Sequence, residues 1–99
     1  MARAKKASPN FVNFWCPGCD DYHNIRYGNP ASDWTWNGDL ELPTFSPSVL
    51  VRYGYIQGVP KVCHSFVTDG RIQFLGDCTH ALAGQTVDLP EWPHGDDAP

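Results

Sequence analysis

Hydrophobic and polar residues alternate along most of this chain with a period of two, which is the spacing of strands and not of helices. Phe11 to Trp15 reads as a short strand, and Tyr22 to Tyr27 as a second one that returns from it. Gly28-Asn29-Pro30 breaks the chain. Asp33 to Trp36 is a strand fragment, Asn37-Gly38 is a two-residue hairpin turn, and Asp39 to Leu42 is the return. Pro43 to Pro47 is an extended connector. Ser48 to Tyr53 is a strand with Val49 and Val51 on one face and Leu50 on the other, followed by a loop over 54–60. Lys61 to Val67 and Arg71 to Leu75 form a hairpin, and its Asp69-Gly70 turn pairs Val67 with Ile72. Gln85 to Leu89 is extended. The single helix candidate is Thr79 to Ala83, with Asp77 as N-cap and Gly84 just past its end.

The pattern predicts a small, mostly β, antiparallel fold with at most one short helix near 79–83. Residues 1–9 read as a flexible basic tail, 10–90 as one β domain, and 91–99 as an acidic, proline-containing tail that includes His94. With 99 residues the chain has one modest core, burying roughly 60–65% of its extended surface. A hydrophobic fraction of 41% and a charged fraction of 18% mark a globular sequence. The formal charge of -4 argues against a protein that coats nucleic acid. No apolar run approaches the roughly 18 residues of a membrane span. The basic start MARAKK has no apolar segment behind it, so a reducing, cytoplasmic setting is the expectation.

In that setting four cysteines point to a metal and away from a disulfide framework. Cys16-Pro17-Gly18-Cys19 is a CxxC knuckle resembling that of a zinc ribbon, joined by Cys63-His64 and by Cys78-Thr79-His80. Tetrahedral zinc takes four nitrogen or sulfur ligands, and such a mixed set favours zinc over copper or iron. Adjacent strand residues face opposite sides, so Cys63 and His64 do not both reach one ion. The Asp-Gly register puts Cys63 on the face of Val67, Ile72 and Phe74, as a core cysteine, and leaves His64 opposite Leu75 and near Cys78. The predicted ligand set is Cys16, Cys19, His64 and Cys78 around one structural zinc, with Cys63 and His80 as alternates; a one-residue bulge exchanges the roles of 63 and 64. His23 reads as a strand histidine on a polar face. Such an ion staples the N-terminal hairpin to the C-terminal one.

No HExxH and no His-x-Glu occurs, and Asp77 is the one general base beside the proposed site. A Cys63–His64 nucleophile pair fails because neighbouring strand residues point apart. No catalytic residue is assigned. Trp34 and Trp36 project to one side of a strand, either as core or as a stacking platform.

CHSFVTDGRIQFLGDCTHALAGQTVDLP (63–90), with FWCPGC (14–19), WTWNGD (34–39) and PTFSPSVL (43–50), resembles a family of small phage and prophage proteins of unknown function that commonly carries the name ammonia monooxygenase. The resemblance covers residues 11–93 and implies a phage or prophage source in a bacterial cytoplasm. The enzyme of that name is a membrane-embedded, multi-subunit copper protein, so the activity is not expected of a single 99-residue domain. Distant relatives share a knuckle, a later His before an Asp-Gly hairpin and a final Cys. Carried over, that pattern falls on Cys16, Cys19, His64 and Cys78. Some members sit near ubiquitin-like conjugation genes, which implies protein–protein work. The expected function is a phage-encoded zinc-binding accessory protein acting by binding a host or phage protein. The alternatives are a zinc hydrolase with an open metal position, and a zinc-ribbon nucleic-acid binder using Arg3, Lys5, Lys6 and the tryptophans.

Overall fold

The computed structural model describes residues 2–92, and over that span the alternation becomes two antiparallel sheets. The first holds β1 (Ala4–Ser8), β2 (Phe11–Cys16) and β3 (Asp21–Arg26) in that order. The second runs β4 (Thr35–Trp36), β5 (Phe45–Ile56), β6 (Val59–Thr68), β7 (Arg71–Phe74) and β8 (Thr86–Asp88), again in chain order. Antiparallel neighbours need only short turns, which is why so many short strands fit in so short a chain. The expected antiparallel β-fold is what forms.

One face of each sheet builds the core. Val12, Phe14 and Cys16 point inward from β2, and His23 and Ile25 from β3. Phe45 and Val49 of β5, Cys63, Ser65 and Val67 of β6, and Ile72 and Phe74 of β7 are buried with them. The Phe14 and Phe45 rings stack at 5.6 Å with 26° between their planes, joining the sheets at the centre. Each fully buried side chain of this size stabilises the fold by about 1.5–3 kcal/mol.

Four segments differ from the sequence reading. Residues 4–8 are not a loose tail: Ala4 is buried and pairs with Phe14, and Lys6 pairs with Val12. The expected loop over 54–60 is the tip of the β5–β6 hairpin, where Gln57 and Gly58 take φ of 53° and 79°, the left-handed pair that matches strand twist. Asn37-Gly38 does not close a two-residue hairpin. Instead Asn37 Oδ1 accepts the N–H groups of Asp39 and Thr44 at 3.1 Å each, and its Nδ2 donates to Leu42 O at 3.0 Å. This spans a wider loop, and β5 is the return strand. No helix forms at 79–83 among the described residues. The segment makes successive turns, with Gln85 N–H donating to Leu82 O at 3.0 Å. Thr79 fastens it to β6 and the His80 ring to Phe74, and five residues are too few for a helix to compete. His94 and the acidic tail from 93 onward lie outside the described residues. Among the described residues no helix is long and apolar enough to cross a membrane.

Candidate active site and metal centre

β6 serves two sites because strand residues alternate. Its Cys63 faces inward, towards the end of β2. There Cys16 is buried by the same alternation, and Pro17-Gly18 turns the chain so that Asp20 N–H donates to Cys16 O at 2.9 Å and Cys19 N–H to Cys16 Sγ at 3.4 Å. The Cys16 and Cys63 sulfurs are 3.8 Å apart. His80 enters from the turns after β7, its ring edge-on to Phe74 at 4.5 Å. One ligand atom each from Cys16, Cys19, Cys63 and His80 lies within 4.8 Å of all the others.

This Cys3His cluster can hold a metal ion, and its geometry fits one. A disulfide needs sulfurs about 2.05 Å apart, and all four cysteines are free. Two sulfurs bonded to a tetrahedral zinc at about 2.3 Å stand about 3.8 Å apart. His80 Nδ1 accepts the Leu82 N–H at 3.2 Å, while its Nε2 is buried without a hydrogen-bond partner. The His80 ring occupies the space where a side chain on Gly18 would begin, so only glycine admits the histidine.

The packed thiols differ in how readily they ionise. Hydrogen bonds from Cys16, then Cys63, hold Cys19 far below the usual thiol range, with His23 beside it adding to the effect. Donating to Cys19 pushes Cys16 up to about 12, and the bonds to Cys16 and Cys19, with burial, push Cys63 higher still. Three packed thiols do not all ionise without a cation between them. His23 is buried and inward, edge-on to Phe14 at 5.4 Å, and not on a polar face.

The predicted quartet is therefore not the one brought together: Cys16 and Cys19 meet Cys63 and His80, while His64 and Cys78 are elsewhere. Parity places Cys63 on the core face, as the structure does. What it does not supply is that the knuckle closes onto that same face. The Cys78 thiol instead brackets the backbone of His64, accepting its N–H at 3.2 Å and donating to its carbonyl at 3.1 Å.

His64 faces outward and meets two polar side chains. Its Nε2 is 2.9 Å from Ser48 Oγ, and its Nδ1 is 3.0 Å from Asp77 Oδ2. Ser48 comes from an irregular stretch of β5, where Phe45 pairs with Val67 and Val49 with Ser65. Four residues on β5 thus span two on β6, and the extra length brings Ser48 to His64. Trp34 Nε1 donates to Ser48 O at 3.2 Å. Asp77 is carried by chain that follows β6 through side chains: Cys78 grips His64, and Thr79 Oγ1 accepts the Val62 N–H at 2.9 Å. Leu50, directly across from His64, and Phe66, two residues on, are exposed around it. Sequence reasoning misses Ser48. The available signal is that Ser48 lies two residues before Leu50, hence on its face, but only the β5–β6 register shows that Leu50 opposes His64.

Nucleophile, base and orienting carboxylate in hydrogen-bonded series define the Ser–His–Asp class of hydrolytic site, which is recognised by geometry and not by chain order. The chain belongs to the family described as bacterial ubiquitination-like system serine protease (BubE), whose model matches residues 1–75. That match takes in Ser48 and His64 and ends two residues before Asp77. No curated protein and no solved structure matches the chain. Membership in a protease family overturns the expectation of a phage zinc accessory protein that acts by binding alone. That expectation spends His64 on a metal, whereas its ring nitrogens meet Ser48 and Asp77.

Proposed function

We propose that the chain is a serine protease acting within a bacterial ubiquitination-like system, with Ser48 as nucleophile, His64 as general base and Asp77 as the carboxylate that orients it. The observation that carries this is the pair of hydrogen bonds at His64, 2.9 Å to Ser48 and 3.0 Å to Asp77. Asp77 accepts the Nδ1 proton and leaves Nε2 free to accept from Ser48. As Oγ attacks a substrate carbonyl, its proton passes to Nε2, and the Asp77 carboxylate stabilises the imidazolium. Collapse of the tetrahedral adduct breaks the C–N bond, and the leaving amine takes the proton from Nε2. Water, deprotonated by the same base, then releases the acyl group. The site opens on the exposed face of the sheet, where Leu50 and Phe66 offer apolar surface to a protein substrate.

The Cys16, Cys19, Cys63 and His80 cluster is assigned to one zinc with a structural role. Four protein donors close a tetrahedron, whereas a catalytic zinc keeps a position open. When bound, the ion neutralises the thiolates and ties the end of β2 to β6 immediately behind His64. Free cysteines of this kind suit a reducing compartment, the bacterial cytoplasm.

The test is covalent labelling with a small alkyl fluorophosphonate, read by intact mass and peptide mapping. One adduct on Ser48, absent in Ser48→Ala and His64→Ala, is expected. A folded, metal-loaded protein that takes no adduct would overturn the protease reading. Cobalt-loaded protein tests the metal assignment: tetrahedral bands unmoved by added anions fit a closed site, and anion-sensitive bands refute it.

A further inference from the structure

Trp34 links the nucleophile to a cavity. Its indole N–H holds the Ser48 carbonyl at 3.2 Å. The same residue lines a cavity of about 230 Å³ together with Tyr27, Gly28, Pro30, Thr35 and Trp36. The nucleophile's backbone is therefore one indole away from the cavity. Tyr27 and Trp36 form its aromatic corner, their rings edge-on at 4.9 Å.

The rim is built and held. Gly28, at φ of 116°, turns the chain away from β3 in a conformation that side chains disfavour. Asn29 and Asp33 then close the loop on each other: Asp33 N–H donates to Asn29 O at 2.8 Å, and Asn29 N–H donates to Asp33 Oδ2 at 3.1 Å. Arg26 anchors Asp33 from β3 at 3.6 Å. No charged side chain lines the cavity. A drug-sized ligand or cofactor takes about 300–1,000 Å³. This space is smaller, apolar and suited to one side chain.

We infer that this cavity is a specificity pocket that receives an apolar, preferably aromatic, side chain of the substrate beside the scissile bond. The inference rests on the serine protease reading and deepens it. Occupancy is sensed at Ser48 because the wall residue Trp34 also holds the Ser48 carbonyl. Tyr27, Trp34 and Trp36 supply the aromatic edges and faces that ring-bearing side chains pack against. Trp36 is kept in place by its own N–H, which donates to Asp39 O at 3.2 Å.

The experiment compares labelling rates of amino-acid diphenyl phosphonates bearing benzyl, methyl and aminobutyl side chains. Ser48 Oγ bonds to phosphorus, phenoxide leaves, and the serine proton reaches it through His64 as phenol. Wild-type protein should react about tenfold or more faster with the benzyl probe than with the methyl or aminobutyl probe, the size of discrimination an apolar pocket gives. Trp36→Ala should collapse that ratio towards one. Because Trp36 also packs on the core, Thr35→Trp is the second variant: Thr35 is exposed on β4, and an indole there fills the cavity mouth while the core packing stays as it is. Equal benzyl and methyl rates in wild type, fastest reaction with the aminobutyl probe, or a ratio unchanged in Thr35→Trp would each overturn the pocket. Adducts on Ser48 from the small fluorophosphonate, with no side-chain preference, would sink this inference alone. Absence of any Ser48 adduct would sink the protease reading with it.

Discussion

Cys63 and His64 are sequence neighbours that serve opposite faces of one strand, Cys63 at 3.8 Å from Cys16 in the core and His64 at 2.9 Å from Ser48 on the surface. This back-to-back placement lets the His64 site be disabled by mutation while the metal site is kept. His64→Ala should cost at least about 10⁴-fold in hydrolysis and leave one zinc per chain, because His64 is not among the clustered ligands. Cys63→Ser should do the reverse at the level of metal: zinc is lost, and activity falls because the fold behind His64 loosens. Asp77→Asn should be milder than either, about 10²-fold, because Asp77 is 57% exposed and water can replace part of what a buried carboxylate does. Native mass spectrometry beside a labelling assay reads all three. Zinc loss in His64→Ala would show that the ligand sets are exchanged.

The Cys78 thiol holds the backbone of β6 and not an ion. Cys78→Ser keeps a donor and an acceptor and should keep zinc, fold and labelling. Cys78→Ala removes both bonds to His64 and leaves its N–H without that partner. The expected loss is about 1–2 kcal/mol of stability, with slower labelling because Asp77 is the adjacent residue. Urea denaturation and metal content of the two variants check this. Loss of zinc in Cys78→Ser would restore Cys78 as a ligand.

Much of the fold is legible in the sequence because alternation is a local property. The Asp69-Gly70 turn gives the true pairing of Val67 with Ile72, and parity places Cys63 on the core face. Cys16 and Cys19 are legible for the same reason, since a CxxC turn is complete within four residues. Their partners are not. Whether Cys63 or His64 meets the knuckle depends on how the N-terminal sheet packs on the C-terminal one, through pairs such as Phe14 with Phe45, and no spacing encodes that. Ser48 is hidden for a related reason. Its approach to His64 depends on an irregular register in β5 and on the Trp34 bond to its carbonyl, at the start of a segment that reads as an ordinary strand. Once His64 is counted as a ligand, the base is gone and the serine has nothing beside it to mark it as a nucleophile.

Arg3 reads in the sequence as part of a basic arm with Lys5 and Lys6, yet its guanidinium is occupied inside the protein. Nε donates to Leu89 O at 3.0 Å and an Nη donates to Glu41 O at 2.9 Å, tying β1 to the chain after β8 and to the 37–44 loop. Arg3→Ala should destabilise the domain by about 1–3 kcal/mol. Arg3→Lys should recover little, because one ammonium does not reproduce a fork that meets two carbonyls. Chemical denaturation measures both. An Arg3→Ala protein of unchanged stability would return the residue to the role of a surface charge.

Gly18 gives the sharpest test of the metal centre, because its requirement is steric. Its backbone is not in the left-handed region, so alanine is conformationally acceptable there. The obstacle is the His80 ring, which stands where the methyl group would be. Gly18→Ala should therefore expel His80 while leaving Cys16, Cys19 and Cys63 to hold the ion with three sulfurs. Zinc affinity should fall by about 10²-fold or more, and cobalt spectra should become sensitive to added anions as a position opens. Far-UV circular dichroism should remain that of the folded protein at saturating zinc. A His80→Ala variant should match Gly18→Ala in affinity, and the double variant should be no worse than either single one, since both remove the same ligand. Additive losses in the double variant would mean that Gly18 and His80 act independently, and that the histidine is not the fourth ligand.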